Sequence, residues 1–337
     1  MSTNAIVVDN LVKRYPGGVT AVDGVSFSVQ GGQIFGFLGP NGAGKSTIIK
    51  ILTTLALPSE GLATVGGYDV VHQAGDVRRI AGVALQEIGL DPTMKSTELL
   101  TLQARFFGYD DKQARARAAE LIELVKLTDA VGRRVGTYSG GMRRRLDLAL
   151  ALVHEPEILF LDEPTTGLDP ASRRDIWDEV RRLNRQLGMT IFLTTQYLEE
   201  ADALADVVAI INQGKLAAEG SPAQLKASQG AESINLVFDS RELAEQAAGQ
   251  IGDMAQRTQV DRDTLRVYLE HAAQAIPSVV NRLQQAGLNP ISLTLTQPTL
   301  DDVFLQVTGQ RIQAEQAQPA EAEVAGPPQA RRRGRSR

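Results

Sequence analysis

A glycine-rich segment near residue 40 carries the clearest chemical pattern in the sequence. Residues 39–46 read Gly-Pro-Asn-Gly-Ala-Gly-Lys-Ser and fit G-x-x-x-x-G-K-[ST]. Glycines allow backbone N–H groups to converge on an anion, and a helix that begins near Lys45 adds the positive end of its dipole. In this pattern the lysine reaches the β- and γ-phosphates, and the Ser46 hydroxyl coordinates Mg²⁺. The predicted nucleotide-binding residues are Gly39, Pro40, Asn41, Gly42, Ala43, Gly44, Lys45, Ser46 and Thr47.

A pair of carboxylates follows about 115 residues later. Four apolar residues, Ile158–Leu161, lead into Asp162 and Glu163. Open α/β sheets bind ligands at the carboxyl ends of their strands, so both acids are predicted at such an edge. We expect Asp162 to hold Mg²⁺ and Glu163 to act as the general base that polarises the attacking water. A strand end with solvated acids is the ordinary alternative, which the glycine-rich segment disfavours.

The surrounding segments indicate an α/β fold. Over the first 230 residues, short apolar runs alternate with helical patterns, which is typical of a parallel sheet with crossover helices. Ile34–Leu38 leads into the glycine-rich segment, and the paired glycines before it predict a hairpin with Val25–Val29. The other predicted elements here are strands at Ile6–Val8, Glu157–Leu161, Thr190–Thr194 and Val207–Ile211, and helices within Glu98–Leu127, Ala171–Leu187 and Leu198–Leu204.

The pattern changes near residue 230. The predicted order beyond it is β-α-β-β-α-β, the split βαβ arrangement. Its elements are Ile234–Phe238, Arg241–Ile251, Thr258–Val260, Leu265–Leu269, Ala272–Ala286 and Ile291–Leu295. After Gly309 the composition is dominated by Gln, Ala, Glu and Pro and ends in RRRGRSR, which predicts a disordered tail.

Composition excludes several classes of protein. The 337 residues include 35 Lys+Arg and 40 Asp+Glu, a formal net charge of −5, which argues against a dedicated nucleic-acid binder. The absence of cysteine excludes disulfide scaffolds, Cys zinc sites and iron–sulfur ligation, and is compatible with a reducing cytosol. No signal-peptide pattern and no run of about 18 apolar residues is present, so we expect a chain that does not cross a membrane by itself.

Further residues resemble the ATP-binding-cassette (ABC) ATPases. Tyr138-Ser-Gly-Gly-Met142 resembles the family's signature LSGGQ, and Gln86 lies where its Q-loop glutamine does. Gly167-Leu-Asp169 resembles the D-loop. The resemblance covers residues 5 to about 225 and implies ATP and Mg²⁺ as cofactors and a homodimer with composite sites. The residues it adds to the site are Tyr15 stacked on adenine, Gln86 at the nucleotide and metal, and Ser139, Gly140, Gly141 and Asp169 at the nucleotide of the other subunit.

One position departs from the family pattern. The family usually has a switch histidine after the strand Thr190–Thr194, whereas this chain has Gln196. A neutral amide can donate a hydrogen bond to the γ-phosphate and accept one from water, but it cannot carry a proton at neutral pH. We therefore expect Gln196 to sense the γ-phosphate, with Glu163 left as the base candidate. The alternative is that Gln196 only caps the next helix.

Gln196, the stretch YSGGMRRR and Pro298-Thr-Leu-Asp-Asp-Val-Phe-Leu305 together resemble the ATP-binding subunits of daunorubicin/doxorubicin-resistance exporters. The resemblance implies a nucleotide-binding domain over 1–230 with a mixed sheet, an N-terminal β subdomain and a helical subdomain at about 90–150. A ferredoxin-like α+β domain over 231–309 and the tail 310–337 follow. The implied function is ATP hydrolysis that energises drug efflux through a separate integral-membrane permease, at the cytoplasmic face of the cell membrane.

Several alternatives remain open. The cargo could instead be a lipid, polyketide or polysaccharide, because the permease reads it. A soluble ABC ATPase of DNA repair or translation is disfavoured by the short spacing between the two nucleotide motifs and by the single cassette. A nucleotide-binding regulator is disfavoured by the presence of Lys45, Asp162 and Glu163.

Three local patterns also allow two readings. Ser139 and its glycines suit either the nucleotide-facing role above or a plain helix N-cap. The arginines at 143–145 could contact phosphate, but a charge run is more typical of a solvated helix face, and we assign them no role. An apolar stretch after Gln86 suits either a permease-binding surface or a helical core; it comprises Leu99, Leu100, Leu102, Phe106, Phe107 and Tyr109.

Overall fold

The computed structural model of the chain describes residues 4–87, 89–228, 232–269 and 271–309. The predicted tail after residue 309 lies outside these ranges. The strands are β1 Asn4–Arg14, β2 Thr20–Gln30, β3 Ile34–Leu38, β4 Glu60–Val65, β5 Tyr68–Asp69, β6 Ala81–Ala84, β7 Ile158–Asp162, β8 Thr190–Thr195, β9 Val207–Asn212, β10 Lys215–Gly220, β11 Glu232–Val237, β12 Arg257–Asp261, β13 Thr264–Leu269 and β14 Ser292–Thr296. The helices are α1 Lys45–Leu52, α2 Ala74–Ile80, α3 Ser96–Phe106, α4 Asp111–Leu124, α5 Gly140–Ala151, α6 Pro170–Leu187, α7 Leu198–Leu204, α8 Pro222–Ala227, α9 Arg241–Ile251, α10 Ala272–Gln285 and α11 Leu300–Thr308. Within the described ranges, none of these helices has both the length and the apolar character that crossing a membrane requires.

The first two strands belong to an antiparallel sheet with the order β2-β1-β4-β5. The predicted hairpin between Val25–Val29 and Ile34–Leu38 is wrong, because β2 pairs with β1 whereas β3 pairs with β8 and β9 of a second sheet. Burial explains the difference. β3 is buried at all five positions and needs cover on both faces, while the second half of β2 alternates buried and exposed residues.

The second sheet has the order β10-β9-β3-β8-β7-β6 and is mixed. Strands β9, β3, β8, β7 and β6 run parallel, and β10 pairs antiparallel with β9. Strand β8 lies between β3 and β7, so the chain segments that follow these three strands leave the sheet at the same edge. This strand order brings residues that are far apart in sequence to one place.

The two faces of the mixed sheet pack against different layers. On one face, five phenylalanines join it to the antiparallel sheet, with Phe27 of β2 packed on Phe35, Phe37 and Phe192 at centroid distances of 5.4–5.9 Å, and Phe160 on Phe192 at 5.8 Å. On the other face, buried residues of α3, α4, α5 and α6 form one core with Leu159, Leu161 and Leu193. Helices α3 to α5 occupy the predicted helical region.

The predicted β-α-β-β-α-β order beyond residue 230 is confirmed. Strands β11 to β14 form an antiparallel sheet with the order β12-β13-β11-β14. Its apolar side packs on α9 and α10 in a separate core, which includes Ile234, Leu236, Ala247, Leu265 and Leu283.

The last described helix returns to the first part of the chain. Leu300, Val303 and Phe304 of α11 pack with Leu38, Ala201, Val208, Ile210 and Leu225 rather than with the core of the third sheet. Thr299 caps α11, its hydroxyl accepting from the Asp302 N–H at 3.3 Å. The segment 298–305 thus fastens the end of the described chain beside β3 and β9.

Candidate functional site

The glycine-rich loop connects β3 to α1 and is held close to neighbouring backbone. Gly42 and Gly44 have φ values of 79° and 110°, which side-chain-bearing residues rarely adopt. A Cβ on Gly44 would lie 2.3 Å from the Ala21 carbonyl oxygen, and one on Gly39 would lie 2.6 Å from the Ile211 carbonyl oxygen. The loop therefore requires these glycines both for its backbone conformation and for its close packing.

Lys45 begins α1 and points back across the loop. Its Nζ donates to the carbonyl oxygens of Gly39 at 2.8 Å and Pro40 at 3.2 Å, and it lies 3.2 Å from Glu163 Oε1. Both charged side chains are about 95% buried. Burial lowers the pKa of Lys45, and the Glu163 carboxylate opposes that shift. The buried Lys45 ammonium therefore lies against the glycine-rich loop, beside the Glu163 carboxylate.

Asp162 ends β7 and meets two hydroxyl groups. Ser46 Oγ donates to Asp162 Oδ1 at 3.2 Å, and Thr194 Oγ1 from the end of β8 donates to the same oxygen at 2.5 Å. Asp162 is 3% exposed and Thr194 is fully buried. A hydroxyl and a carboxylate side by side offer the hard oxygen ligands that Mg²⁺ prefers.

Glu163 has an unusual backbone conformation and several side-chain partners. Its φ is 48°, and its N–H donates to Thr194 Oγ1 at 3.1 Å. Its Oε2 accepts from Gln86 Nε2 at 3.3 Å and from Thr166 Oγ1 at 3.1 Å. The structure thus brings Gln86, predicted from a different segment, into contact with the acid beside the loop.

Gln196 follows β8 directly and is 6% exposed. It does not cap α7: the N-cap residue is Tyr197, without a side-chain capping bond, and the Tyr197 N–H donates to Thr195 Oγ1 at 2.8 Å. The capping alternative therefore has no support in the contacts. Gln196 stands at the sheet edge that carries the loop and the two acids.

The remaining predicted residues lie apart from the loop. Tyr15, 37% exposed, is in the β1–β2 turn with the Lys13 ammonium 5.0 Å from its ring centroid. Ser139 caps α5 through the Met142 N–H, and Asp169 caps α6. Within the described parts of the chain, no hydrogen bond or ion pair joins Ser139, Gly140, Gly141 or Asp169 to the glycine-rich loop.

The Ser139 and Asp169 segments nevertheless adjoin each other. A Cβ on Gly141 would lie 2.8 Å from Ser172 Oγ, so the start of α5 packs closely on the first turn of α6. The same Ser172 hydroxyl donates to Asp169 Oδ2 at 2.5 Å. The hydrogen bonds from Ser172 hold the pKa of Asp169 below its ordinary value. One surface of the chain therefore carries both segments.

Two buried charged residues near the site were not predicted. Arg144 is 4% exposed, although the arginine run suggested a solvated face; that reading suits Arg143, which is exposed. Gly141, Arg144, Leu148 and Ala151 are all buried and follow helical spacing. The sequence periodicity could therefore have predicted that Arg144 is buried. Glu200 is fully buried and accepts from Thr165 and Trp177, both at 2.9 Å.

The apolar stretch after Gln86 divides between core and surface. Leu100 is fully buried, and Leu99 and Tyr109 pack against the same core. Phe106 is 76% exposed and Leu102 is 43% exposed. The stretch therefore divides into buried residues of the helical core and an exposed apolar pair at the surface.

Comparisons with known proteins agree with this fold. The family description "ABC transporter" matches residues 22–166, and "ATP-binding protein DrrA1-3-like, C-terminal domain" matches residues 220–308. The daunorubicin resistance ATP-binding protein DrrA3 of Streptomyces coeruleorubidus is 44% identical over 92% of this chain and 97% of its own length. The daunorubicin/doxorubicin resistance ATP-binding protein DrrA of Streptomyces peucetius is also 44% identical, over 91% of this chain and 93% of its own.

Solved structures show the same fold. CbiO1 from Clostridium perfringens, part of the ABC transporter complex CbiONQ, has a TM-score of 0.62 with 22% identity over 74% of this chain and 97% of its own. The chain belongs to the ATP-binding subunits of ABC transporters, in the subfamily of daunorubicin/doxorubicin resistance ATP-binding proteins. It is an ATP-binding, ATP-hydrolysing subunit whose activity is coupled to transport.

Proposed function

We propose that this protein hydrolyses ATP with Mg²⁺ as a homodimer and thereby powers drug export through a separate integral-membrane permease. One observation carries the proposal. Lys45, Ser46, Asp162 and Glu163 come from two distant segments and meet within 3.2 Å of one another in pairs, at the sheet edge where α/β folds bind ligands. The two DrrA relatives supply the daunorubicin and doxorubicin cargo class.

The loop and Lys45 bind the triphosphate. A Cβ would not fit at two positions of the loop Gly39–Gly44. The loop leads into the start of α1, where N–H groups and the helix dipole attract anions. Lys45 supplies a buried positive charge, which is favourable only beside anionic partners. A triphosphate offers Lys45 such partners in addition to Glu163.

The donor set fits Mg²⁺. Ser46 and Asp162 supply two oxygen ligands, and Mg²⁺ is commonly bound by one or two carboxylates together with substrate phosphates and water. When bound, the ion would neutralise charge on the β- and γ-phosphates.

Glu163 is the base in this proposal. Its carboxylate is held by Lys45, Gln86 and Thr166, so it is oriented before substrate arrives. It accepts a proton from the attacking water, while Gln196 donates a hydrogen bond to the γ-phosphate. Glu163 thus accepts the proton, and Gln196 senses the γ-phosphate.

The second part of each site comes from a second copy of the chain. Ser139 and Gly140 are exposed at the start of α5, where a helix N-terminus attracts anions, and Asp169 lies nearby because Gly141 packs on Ser172. The family resemblance implies that this surface contacts ATP held between two subunits and that Tyr15 stacks on the adenine. Hydrolysis then separates the two copies.

The permease contact and the domain limits are part of the proposal. Exposed Phe106 and Leu102 give the helical subdomain an apolar surface for a membrane partner, which would hold the protein at the cytoplasmic face of the membrane. We assign the nucleotide-binding domain to 1–230, the accessory domain to 231–309 and a disordered tail to 310–337. Helix α11 is the part of the accessory segment that packs on the nucleotide-binding core.

Glu163→Gln tests the mechanism. The amide keeps the shape of Glu163 and removes its basicity, so ATP binding should persist, phosphate release should fall to a small residual rate, and ATP should accumulate a dimer on size-exclusion chromatography. Glu157→Gln, an exposed glutamate just before β7, is the matched control and should match the wild type. Continued turnover with only monomer present would assign the base to another residue.

A cellular assay tests the cargo. Deletion of the gene should raise intracellular daunorubicin, and complementation with the wild type but not with Lys45→Ala should lower it again. Unchanged accumulation with an ATPase-active protein would show that the permease exports a different compound.

A further inference from the structure

Arg144 is a buried cation that the mechanism above does not use. It lies in the second turn of α5, and its guanidinium makes four contacts. Nε donates to the Pro164 carbonyl at 2.9 Å, Nη2 to the Asp162 carbonyl at 3.0 Å, and Nη1 to the Leu85 carbonyl at 2.6 Å. Nη1 also lies 3.0 Å from Asp147 Oδ2 on the next turn of the helix.

The three carbonyls surround Glu163. Asp162 and Pro164 are its neighbours in the chain, so Arg144 holds the backbone on both sides of it. Leu85 precedes Gln86, whose amide donates to Glu163 Oε2. One side chain therefore fixes the backbone that carries the base and the backbone that carries a partner of the base.

Glu163 needs such support. A φ of 48° is uncommon for a residue with a side chain and persists only where the surrounding structure holds it. The planar guanidinium has donors in a fixed fork and can reach three segments at once, whereas a lysine ammonium is a point donor on a flexible stem. Burying a charge is costly, so a position that needed only packing would be better filled by an apolar residue.

We propose that Arg144 is a positioning residue for hydrolysis, acting by holding the Asp162–Pro164 backbone and thereby the Glu163 carboxylate in place. The inference rests on the proposed function, in which Glu163 is the base. Arg144 makes no contact with the glycine-rich loop. Its loss should therefore affect the rate of hydrolysis far more than the affinity for ATP.

A double-mutant cycle on the full-length chain tests this. Arg144→Met keeps an unbranched stem, shorter than that of arginine, and removes every donor. Displacement of a reacting group by about 1 Å can cost about 100-fold in rate. We expect a 10- to 100-fold lower single-turnover rate of ATP hydrolysis, with the dissociation constant for a fluorescent ATP analogue within threefold of the wild type. Arg143→Met, an exposed arginine on the same helix, is the matched control and should change neither quantity by more than twofold.

The same substitution is then made in Glu163→Gln. If Arg144 acts through the Glu163 carboxylate, Arg144→Met should change the residual rate less than twofold in that background, because nothing remains to be positioned. A structural defect would lower the rate by the same factor in both backgrounds, and that result would overturn the inference.

Arg144→Lys covers the case in which Arg144→Met does not fold. Lysine keeps the charge beside Asp147 but cannot hold three carbonyls, so a folded Arg144→Lys should hydrolyse ATP at least fivefold more slowly with unchanged affinity. A folded lysine variant with the wild-type rate would refute the positioning role. An inactive wild type, or a Glu163→Gln variant as active as the wild type, would instead refute the proposed function.

Discussion

Thr194→Val isolates one hydroxyl that joins the two acids of the site. Thr194 is fully buried; its Oγ1 donates to Asp162 Oδ1 at 2.5 Å and accepts from the Glu163 N–H at 3.1 Å. Valine has nearly the same shape but neither donates nor accepts. The Glu163 N–H keeps the Thr194 carbonyl oxygen at 3.1 Å, so the main loss is the hydrogen bond to the Asp162 carboxylate.

The size of the effect follows from that bond. A hydrogen bond to a charged group contributes about 1.5–3 kcal/mol. If the loss falls on the transition state, the rate of hydrolysis should drop about 10- to 150-fold. If it falls on the folded state alone, the free energy of unfolding should decrease by the same amount, with the rate unchanged.

Enzyme kinetics and the free energy of unfolding together separate these outcomes. Steady-state phosphate release across a range of Mg²⁺ and ATP concentrations should show a lower kcat and a higher Mg²⁺ requirement, because Asp162 is less firmly held beside Ser46. Thr53→Val is the control: Thr53 is also buried, but its hydroxyl donates to the Ile49 carbonyl at the end of α1. It should lower stability without changing the Mg²⁺ requirement.

One result would contradict a role of the Thr194 hydroxyl in the site. If Thr194→Val keeps kcat and the Mg²⁺ requirement within twofold of the wild type, and loses only as much stability as Thr53→Val, then the hydroxyl contributes to packing and not to the site.

Three further predictions concern other parts of the chain. Gln196→His should hydrolyse ATP at near the wild-type rate, because histidine still donates to the γ-phosphate, whereas Gln196→Ala should be about 10- to 150-fold slower; equal phosphate-release rates for the wild type and the alanine variant would contradict a sensing role. Phe304→Ala should lower the free energy of unfolding by about 3–5 kcal/mol, because the Phe304 ring is 1% exposed and packs against the nucleotide-binding core. Urea unfolding is monitored by the fluorescence of Trp177, the single tryptophan of the chain. The exposed Gln306→Ala is its control, and an unshifted Trp177 transition for Phe304→Ala would argue against shared packing. Burial raises the pKa of Asp147 to about 6 from its ordinary 3.8, so the proton it holds stabilises the fold below about pH 4, and that stabilisation is lost as the pH rises through about 6. Relative to Asp147→Asn, the wild type should therefore lose up to about 3 kcal/mol of unfolding free energy between pH 4 and 7, and parallel pH curves for the two proteins would contradict the raised pKa.

Much of the fold was predictable because its signals are local. Strand β3 and helices α7 and α9 begin and end where predicted, since apolar runs and capping residues act over a few positions. Strand pairing was less accessible. The paired glycines before β3 suggested a hairpin, yet they join two sheets, because pairing depends on which partners can cover a strand that is buried on both faces.

The site shows the same division. Spacing alone identified the loop Gly39–Ser46 and the acids Asp162 and Glu163, because those motifs are contiguous in the chain. Thr194 and Gln86 were different. Their contacts with the two acids depend on β8 lying beside β7 and on the segment after β6 reaching the same edge, which no local pattern encodes.

The sequence by itself predicted the chemistry proposed for this protein: a phosphate-binding loop, a metal-binding acid, a base and a glutamine in place of the switch histidine. Only the tertiary structure decided which side chains hold that chemistry in position. Arg144 looks like one of three solvated arginines until the packing of α5 beside β6 buries it and directs its donors to the backbone around Glu163. The physical reason is that a motif requires only neighbours in the chain, whereas the support of a strained backbone requires donors from elements distant in sequence, whose positions depend on the packing of the whole core.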